Sequence, residues 1–544
     1  MKNYEQYGLK PYGAVPNPRQ LAHWKIEKKA FIHFGMNTFT NVEWGNGLED
    51  PKAFAPTELN PRQWVSALKE RGFGLIILTA KHHDGFCLWP SSVTEHCVKN
   101  SSYHGDVVKE FTDACREYGV KAGIYLSPWD RNSPFWGQDA YNDYYVTQLQ
   151  ELLGNYGPIH EVWWDGAGSA ETPYDWARWA DTVRTLQPEA GIFGSLGASE
   201  YVDFRWVGNE SGHASENHYA SVNLSALQTE TTRELYHGKQ GAAHYIPSET
   251  DVSIRPGWFY RAEQDGQVKS AARLNRLWFE SVGRNSMLLL NFPPDRRGLL
   301  HEKDLENARI SHECIQKMLR TDYAAAAKIT ADRKLPSGEL VTHQLTLELP
   351  QPTRLNVLLL GEVLELGERI SAFTVEGDGE PLFQGGSVGH CRACLLPEKE
   401  YKTVTVTFTE SADIPVLGRV GLHLFEDVPD EAPTNTEGMN LAEFPGAKTV
   451  YSPDFRTAEV EFGGVYPYNF FRFVPEETAD YELFAFNGAA YERIAAGRAE
   501  GRKSCKVVLE KPVEGSYRMK VVCAAPLNEI AAVQVKYRPE PDKK

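Results

Sequence analysis

The 544 residues carry 57 Lys and Arg against 73 Asp and Glu, a formal net charge of -16, which excludes a general binder of nucleic acid or of anionic membranes because like charge repels both. Eight Cys scattered along so long a chain make no disulfide framework and read as buried thiols. At roughly 100 to 200 residues per domain the length predicts two to four domains, and an aromatic content of 12% supplies flat faces that suit sugar rings as well as cores.

The opening MKNYEQYGLKPYGAVPNP has no basic stretch leading into an apolar run, and no uninterrupted run of about 18 apolar residues occurs anywhere, so neither a secretory signal nor a membrane span is read in this sequence. A cytoplasmic location is expected. From about residue 28 to 320, short apolar runs alternate with helix-like segments. The strand candidates in order are AFIHFG, FGLIILTA, VKAGIYLSP, HEVWWDG, AGIFGS, YVDFRWVGNE, AHYIPSE and NSMLLLNFPP; PRQWVSALKERG, DVVKEFTDACREYG, YDWARWADTVRTLQP and QVKSAARLNRLWFESVG between them have helical spacing. Eight strands with intervening helices predict an α/β fold, a (β/α)8-like TIM barrel over residues 1–323. Beyond about 325 the helical period gives way to β-runs with turn signals, such as LVTHQLTLELP, RLNVLLLGEV and KTVTVTFTE, which predict a β-sandwich over 324–428. A Pro- and acid-rich linker, EDVPDEAPTNTEGMN, then leads to a second all-β module over 441–544.

Chemistry in such a barrel is built at the C-terminal ends of the strands. The first candidate ends near His33, the second leads into KHHDGF with His82, His83 and Asp84, the fourth ends at Asp165 and the sixth at Glu210. Asp before Gly is also a routine turn residue, so Asp165 alone divides evenly between turn and chemistry. A second carboxylate at the same mouth favours chemistry, since glycoside hydrolysis uses one carboxyl as nucleophile and another as proton donor. In a strand, Trp163 points to the same side as Asp165 and is the candidate sugar contact, whereas Trp164 faces the outer helices. A metal cluster of His33, His82, His83, Asp84 and Asp165 is the weaker alternative. Adjacent strand residues point to opposite faces and no HExxH occurs, so no metal and no cofactor are expected, and neutral imidazoles binding sugar hydroxyls are preferred. HCRAC at 390–394 has no second Cys pair at zinc-finger spacing and reads as β-core.

Taken together, FIHFGMNTFTNVEWGNG, LTAKHHDGFCLWPS, YLSPWD, EVWWDG and LLLNFPPDRRG, in this order, resemble the α-L-fucosidases of glycoside hydrolase family 29 over roughly residues 10 to 320. The resemblance implies a retaining mechanism without metal, acting on fucosylated oligosaccharides or glycoconjugates. It implies Asp165 as nucleophile, and His33, His82, His83, Trp163, Glu43 and Trp44 as holding the sugar. RWVGNESG resembles the donor motif of the branch that prefers α-1,3/1,4 linkages on branched glycans, which implies Glu210 as acid/base, protonated at rest. Glu249 in PSETDVSIRPGWFY is its rival. In the same segment Trp258 is expected against the sugar's methyl group, and Arg255 as a partner of Glu249 or of the nucleophile, or in a structural ion pair at the barrel rim. Two further functions stay open at this level: an α-L-galactosidase on the same scaffold, and a carbohydrate-binding protein that has lost catalysis.

Overall fold

A computed structural model describes residues 4–168, 172–194, 196–228, 233–444 and 446–538. These fall into two compact units, Met1–Ala262 with Leu274–Val428, and Glu263–Arg273 with Pro429–Lys544.

The first unit opens with eight parallel strands: β1 (Lys28–Ile32), β2 (Leu75–Lys81), β3 (Lys121–Leu126), β4 (Glu161–Trp163), β5 (Gly191–Phe193), β6 (Arg205–Trp206), β7 (Ser248–Ser253) and β8 (Met287–Asn291). They pair in the order β5-β4-β3-β2-β1-β8-β7-β6. A parallel bridge between Phe193 and Phe204 joins the two ends and closes the barrel. Outside it lie, among others, α1 (Pro61–Glu70), α2 (Val107–Tyr118), α3 (Ala140–Asn155), α4 (Trp176–Leu186), α5 (Ala271–Glu280) and α6 (Glu302–Arg320). Side-chain caps fix several starts: Asn60 accepts from Gln63 N with Pro61 at the first helical position, and Asp106 and Asp175 accept from Lys109 N and Arg178 N.

The predicted strands coincide with seven of these eight, although Ser195, which closes AGIFGS, lies outside the described residues. The seventh differs. In AHYIPSE, His244–Tyr245 forms a small antiparallel pair with Ser221–Val222 away from the barrel, and β7 is the next stretch, SETDVS. All six of its residues are buried, so a polar sequence fills a core position.

The barrel interior begins with a charged layer. Lys29 Nζ lies 2.7 Å from Glu161 Oε2 and in contact with Glu249 Oε1, all three side chains wholly buried. Burial works against the ammonium, but the two carboxylates more than offset it and hold its pKa above the ordinary range. Burial first, then Glu161, push the Glu249 carboxyl up to about 8. Above this floor Trp163 stacks on Phe193 with ring centroids 4.0 Å apart and on Tyr125 at 5.4 Å.

After α6 the first unit continues as an eight-stranded antiparallel sheet over Lys328–His423. Its longest strands, Gln344–Glu362 and Arg392–Ser411, are broken by bulges that let the sheet fold over a core including Leu345, Leu358, Phe373 and Val406. This sandwich grips the barrel through Glu368, which accepts from Ala220 N, Ser221 N and Asn285 Nδ2 at 2.9, 3.1 and 2.6 Å. The second unit packs a five-stranded and a three-stranded sheet around Phe462, Phe471, Leu483 and Val521. Its inclusion of Glu263–Arg273 departs from the simple succession of modules expected. Within it, Thr434 N donates to Gly266 O at 3.0 Å and Gln267 Nε2 to Glu437 O at 2.9 Å.

Candidate active site

β1 ends one residue before His33, β2 runs directly into His82 and His83, and β4 ends two residues before Asp165. Parallel strands deliver these groups to one mouth. The turn after β2 explains the KHHDGF signature. Asp84 Oδ1 accepts from Phe86 N at 2.8 Å, and Gly85, at φ 81°, occupies a place where any Cβ would collide with the Asp130 carboxylate. Asp84 is thus a buried turn residue, its carboxyl raised by burial to about 7.

Asp165 is both turn and functional group. Its Oδ1 accepts from Ala167 N at 2.8 Å, while Oδ2 accepts from Tyr125 OH at 2.9 Å and faces His83 Nε2 at 3.8 Å. Its side chain is 26% exposed. Trp163 lies one layer below and donates its Nε1–H to Glu249 Oε2 at 3.1 Å. The alternation splits the Trp pair: Trp164 meets Trp176 and Trp179 on α4.

Partners fix the hydrogen on each histidine. Asn291 Nδ2 donates to Trp258 O at 2.8 Å, so its Oδ1 is the acceptor facing His33 Nδ1 at 2.9 Å, and His33 Nε2 is left as an acceptor. Ser127 Oγ donates to Trp129 O at 2.7 Å and therefore accepts from His83 Nδ1 at 2.8 Å, leaving His83 Nε2 an acceptor as well. Asn37 Nδ2 donates to Glu43 O, so His82 Nδ1, 3.3 Å away, accepts and His82 Nε2 carries the hydrogen. Burial lowers all three pKa values, that of His33 to about 3. The site therefore offers neutral rings in an acceptor, donor, acceptor pattern.

Glu43 and Trp44 occupy the loop after β1. Glu43 does its work on the wall: Oε1 accepts from Trp258 N at 2.5 Å and Oε2 from Arg261 at 3.1 Å. Trp258 lies against His33 with centroids 4.9 Å apart. Trp44, 54% exposed, stands edge-on to His83 and Trp129 at 5.6 and 5.5 Å. Glu210 is exposed in the loop after β6.

Two sequence expectations are corrected. Glu249 belongs to the charged floor, beneath the Trp163 indole and without solvent exposure, so it cannot meet a departing oxygen at the mouth. Arg255 pairs with neither Glu249 nor the nucleophile candidate. The inward alternation of Glu249, Asp251 and Ser253 ends with β7, and Arg255 Nε instead bonds Asp304 Oδ2 on α6 at 2.8 Å while its guanidinium covers Tyr260. That is a structural ion pair, with a partner the sequence did not suggest. Tyr125, Ser127, Trp129 and Asn291 were missed as site residues; YLSPWD and the C-terminal ends of β3 and β8 carried the signal for them. Among the described residues, no three His, Cys, Asp or Glu side chains gather as a metal site would require.

A family model described as alpha-L-fucosidase matches residues 17–310, more than half of the chain. The chain belongs to the α-L-fucosidase family. Among the fucosidases it resembles, Alpha-L-fucosidase 1 of Arabidopsis thaliana is 36% identical over 459 residues, 76% of this chain and 89% of the plant protein. The crystal structure of a glycoside hydrolase 29 family member from an unknown rumen bacterium is 31% identical with a TM-score of 0.75, covering 97% of this chain and 100% of that one. A Ruminococcus gnavus family 29 fucosidase in complex with fucose is 28% identical with a TM-score of 0.71, covering 77% and 96%. The fucosidase match thus spans the barrel that holds the site, and the rumen structure extends the likeness into the C-terminal sheets.

Proposed function

We propose that this chain is a retaining exo-α-L-fucosidase that releases terminal α-L-fucose, with α-1,3/1,4-linked branched glycans as substrates. The carrying observation is Asp165 at the barrel mouth, oriented by Tyr125 OH and Ala167 N and open to solvent beside neutral histidines. An Asp165 oxygen attacks the anomeric carbon as the glycosidic C–O bond breaks, and Glu210 gives its proton to the departing oxygen. Water then attacks the fucosyl-enzyme, Glu210 takes up the water's proton, and fucose leaves with its configuration retained. His33 and His83 accept, and His82 donates, hydrogen bonds to sugar hydroxyls; Trp258 covers the methyl face. The linkage preference rests on RWVGNESG around Glu210.

The test is Asp165→Ala with and without azide. Turnover of an aryl α-L-fucoside should fall by at least about a thousandfold and azide should restore it with β-fucosyl azide as product, as expected when a nucleophile is removed. Recovery of the α-azide, or near-native turnover, would sink the assignment. Lewis-type trisaccharides set against an α-1,2-linked one decide the linkage.

A further inference from the structure

Two residues of the signature motifs are left unused by the mechanism above, the Lys that precedes HHDGF and the Asp that ends YLSPWD. Lys81 Nζ lies 3.0 Å from Asp130 Oδ2 and 2.8 Å from Gln148 Oε1, with all three side chains buried. The other Asp130 oxygen accepts from Asn132 N and Ser133 N at 3.0 and 2.8 Å. A buried ion pair thus pins the loop after β3, and the residues beside Asp130 reach across three neighbouring loops. Arg131 N donates to His83 O, after β2, at 2.9 Å. Arg131 Nη1 donates to Gly45 O at 2.7 Å and Asn132 Nδ2 to Gly47 O at 2.8 Å, both in the loop after β1. Trp129 packs on Gly168, three residues beyond Asp165, where a Cβ would come within 2.6 Å of the indole.

We propose that Arg131 is a positioning residue of the sugar site: it holds the Gly45 carbonyl, and with it the adjoining Trp44 indole, in the place where fucose is bound. This rests on Trp44 being a sugar contact. Trp44 is 54% exposed and stands edge-on to its ring neighbours His83 and Trp129, so little of its surface is packed and its place follows that of its own backbone. The backbone on either side of it is held at Glu43 O by Asn37 Nδ2, 3.2 Å away, and at Gly45 O by Arg131. The same guanidinium lies over Trp129 at 5.4 Å from the ring centroid, so one cation joins both indoles. Asp165 is oriented by other groups, Tyr125 OH and Ala167 N. Holding a binding surface in register before the sugar arrives strengthens binding without altering the bond-breaking step. Arg131 therefore acts on affinity and not on turnover.

The experiment is a double-mutant cycle on Arg131 and Trp44, read as KM and kcat on an aryl α-L-fucoside and as the inhibition constant of free fucose. Arg131→Met keeps an apolar stem beside Trp129 and removes the donor; the side chain is exposed, so the core is untouched. KM and the fucose inhibition constant should each rise by about tenfold, as for loss of a hydrogen bond from a charged donor, with kcat within about threefold of native. If that variant does not fold, Arg131→Ala is read in the same way. Trp44→Ala should raise both constants at least as far, and adding Arg131→Met to it should change them by no more than about twofold, because the group through which Arg131 acts is already gone. Additive losses mean that Arg131 acts by another route and overturn the proposal, as does a loss confined to kcat. A raised KM in Trp44→Ala beside a native one in Arg131→Met overturns Arg131 alone, whereas a native KM in Trp44→Ala refutes the sugar contact and the positioning role with it.

Discussion

Ser127 spends its hydroxyl hydrogen on Trp129 O and so dictates which nitrogen of His83 is protonated. Ser127→Ala removes that instruction without touching the mouth. The His83 Nδ1–H then lacks its acceptor, and a buried unsatisfied donor costs about 1–3 kcal/mol. We expect the melting temperature to fall and kcat/KM on an aryl fucoside to drop by about tenfold or more; kcat/KM within twofold of the native value would mean that the ring needs no fixed tautomer. Interactions of this kind also mark the limit of what sequence conveys. His33, His82 and Asp165 stand at strand ends where position alone suggests function. Asp251 does not, because it sits inside a strand, and its bond to Trp206 comes from another element. Glu249 stood as the rival donor for a related reason: its place in the charged floor is visible only once the register of β7 is known.

At the level of elements, seven barrel strands were legible because their apolar runs stand out between capped helices. β7 was not, since Glu249, Asp251 and Ser253 bond Lys29, Trp163, Trp206 and Asn291 on its inner face while Ser248 and Thr250 bond Ser286 on the other, and a buried polar strand has no hydrophobic period to read. The neighbouring AHYIPSE, more apolar, drew the prediction. The charged floor that makes β7 polar also ties three strands together: Lys29 on β1, Glu161 on β4 and Glu249 on β7. Lys29→Met leaves two carboxyls buried without their cation. Breaking a buried pair in this way typically costs about 3–5 kcal/mol, so the variant should melt well below the native protein, and Glu249→Gln in the same background should recover part of the loss. Equal melting temperatures for Lys29→Met and the native protein would show that the floor does not hold the strands.

Summed over the molecule, the buried titratable groups set a pH window. His23, His33, His82, His83 and His218 all have pKa values below the ordinary 6.5 through burial. The unfolded chain therefore binds protons that the fold refuses, and stability falls as pH drops below about 6.5. Asp84 at about 7, and Glu249 and Glu362 at about 8, have the opposite sign: the fold keeps protons that the unfolded chain has released, so stability falls as pH rises above about 4.5 toward 8. Thermal melts should therefore peak between about pH 4.5 and 6.5. A melting temperature still rising at pH 8 would contradict these buried charge states.

The second unit contains Glu263–Arg273, eleven residues that the chain contributes long before it reaches Pro429. Their partners, Thr434, Glu437 and Asp430, all come from the far end of the sequence. Such a unit is discontinuous in sequence, so its fold is complete only when both stretches are present. A chain ending at residue 428 would leave Gly266, Gln267 and Ser270 without the hydrogen-bond partners that Thr434, Glu437 and Asp430 supply.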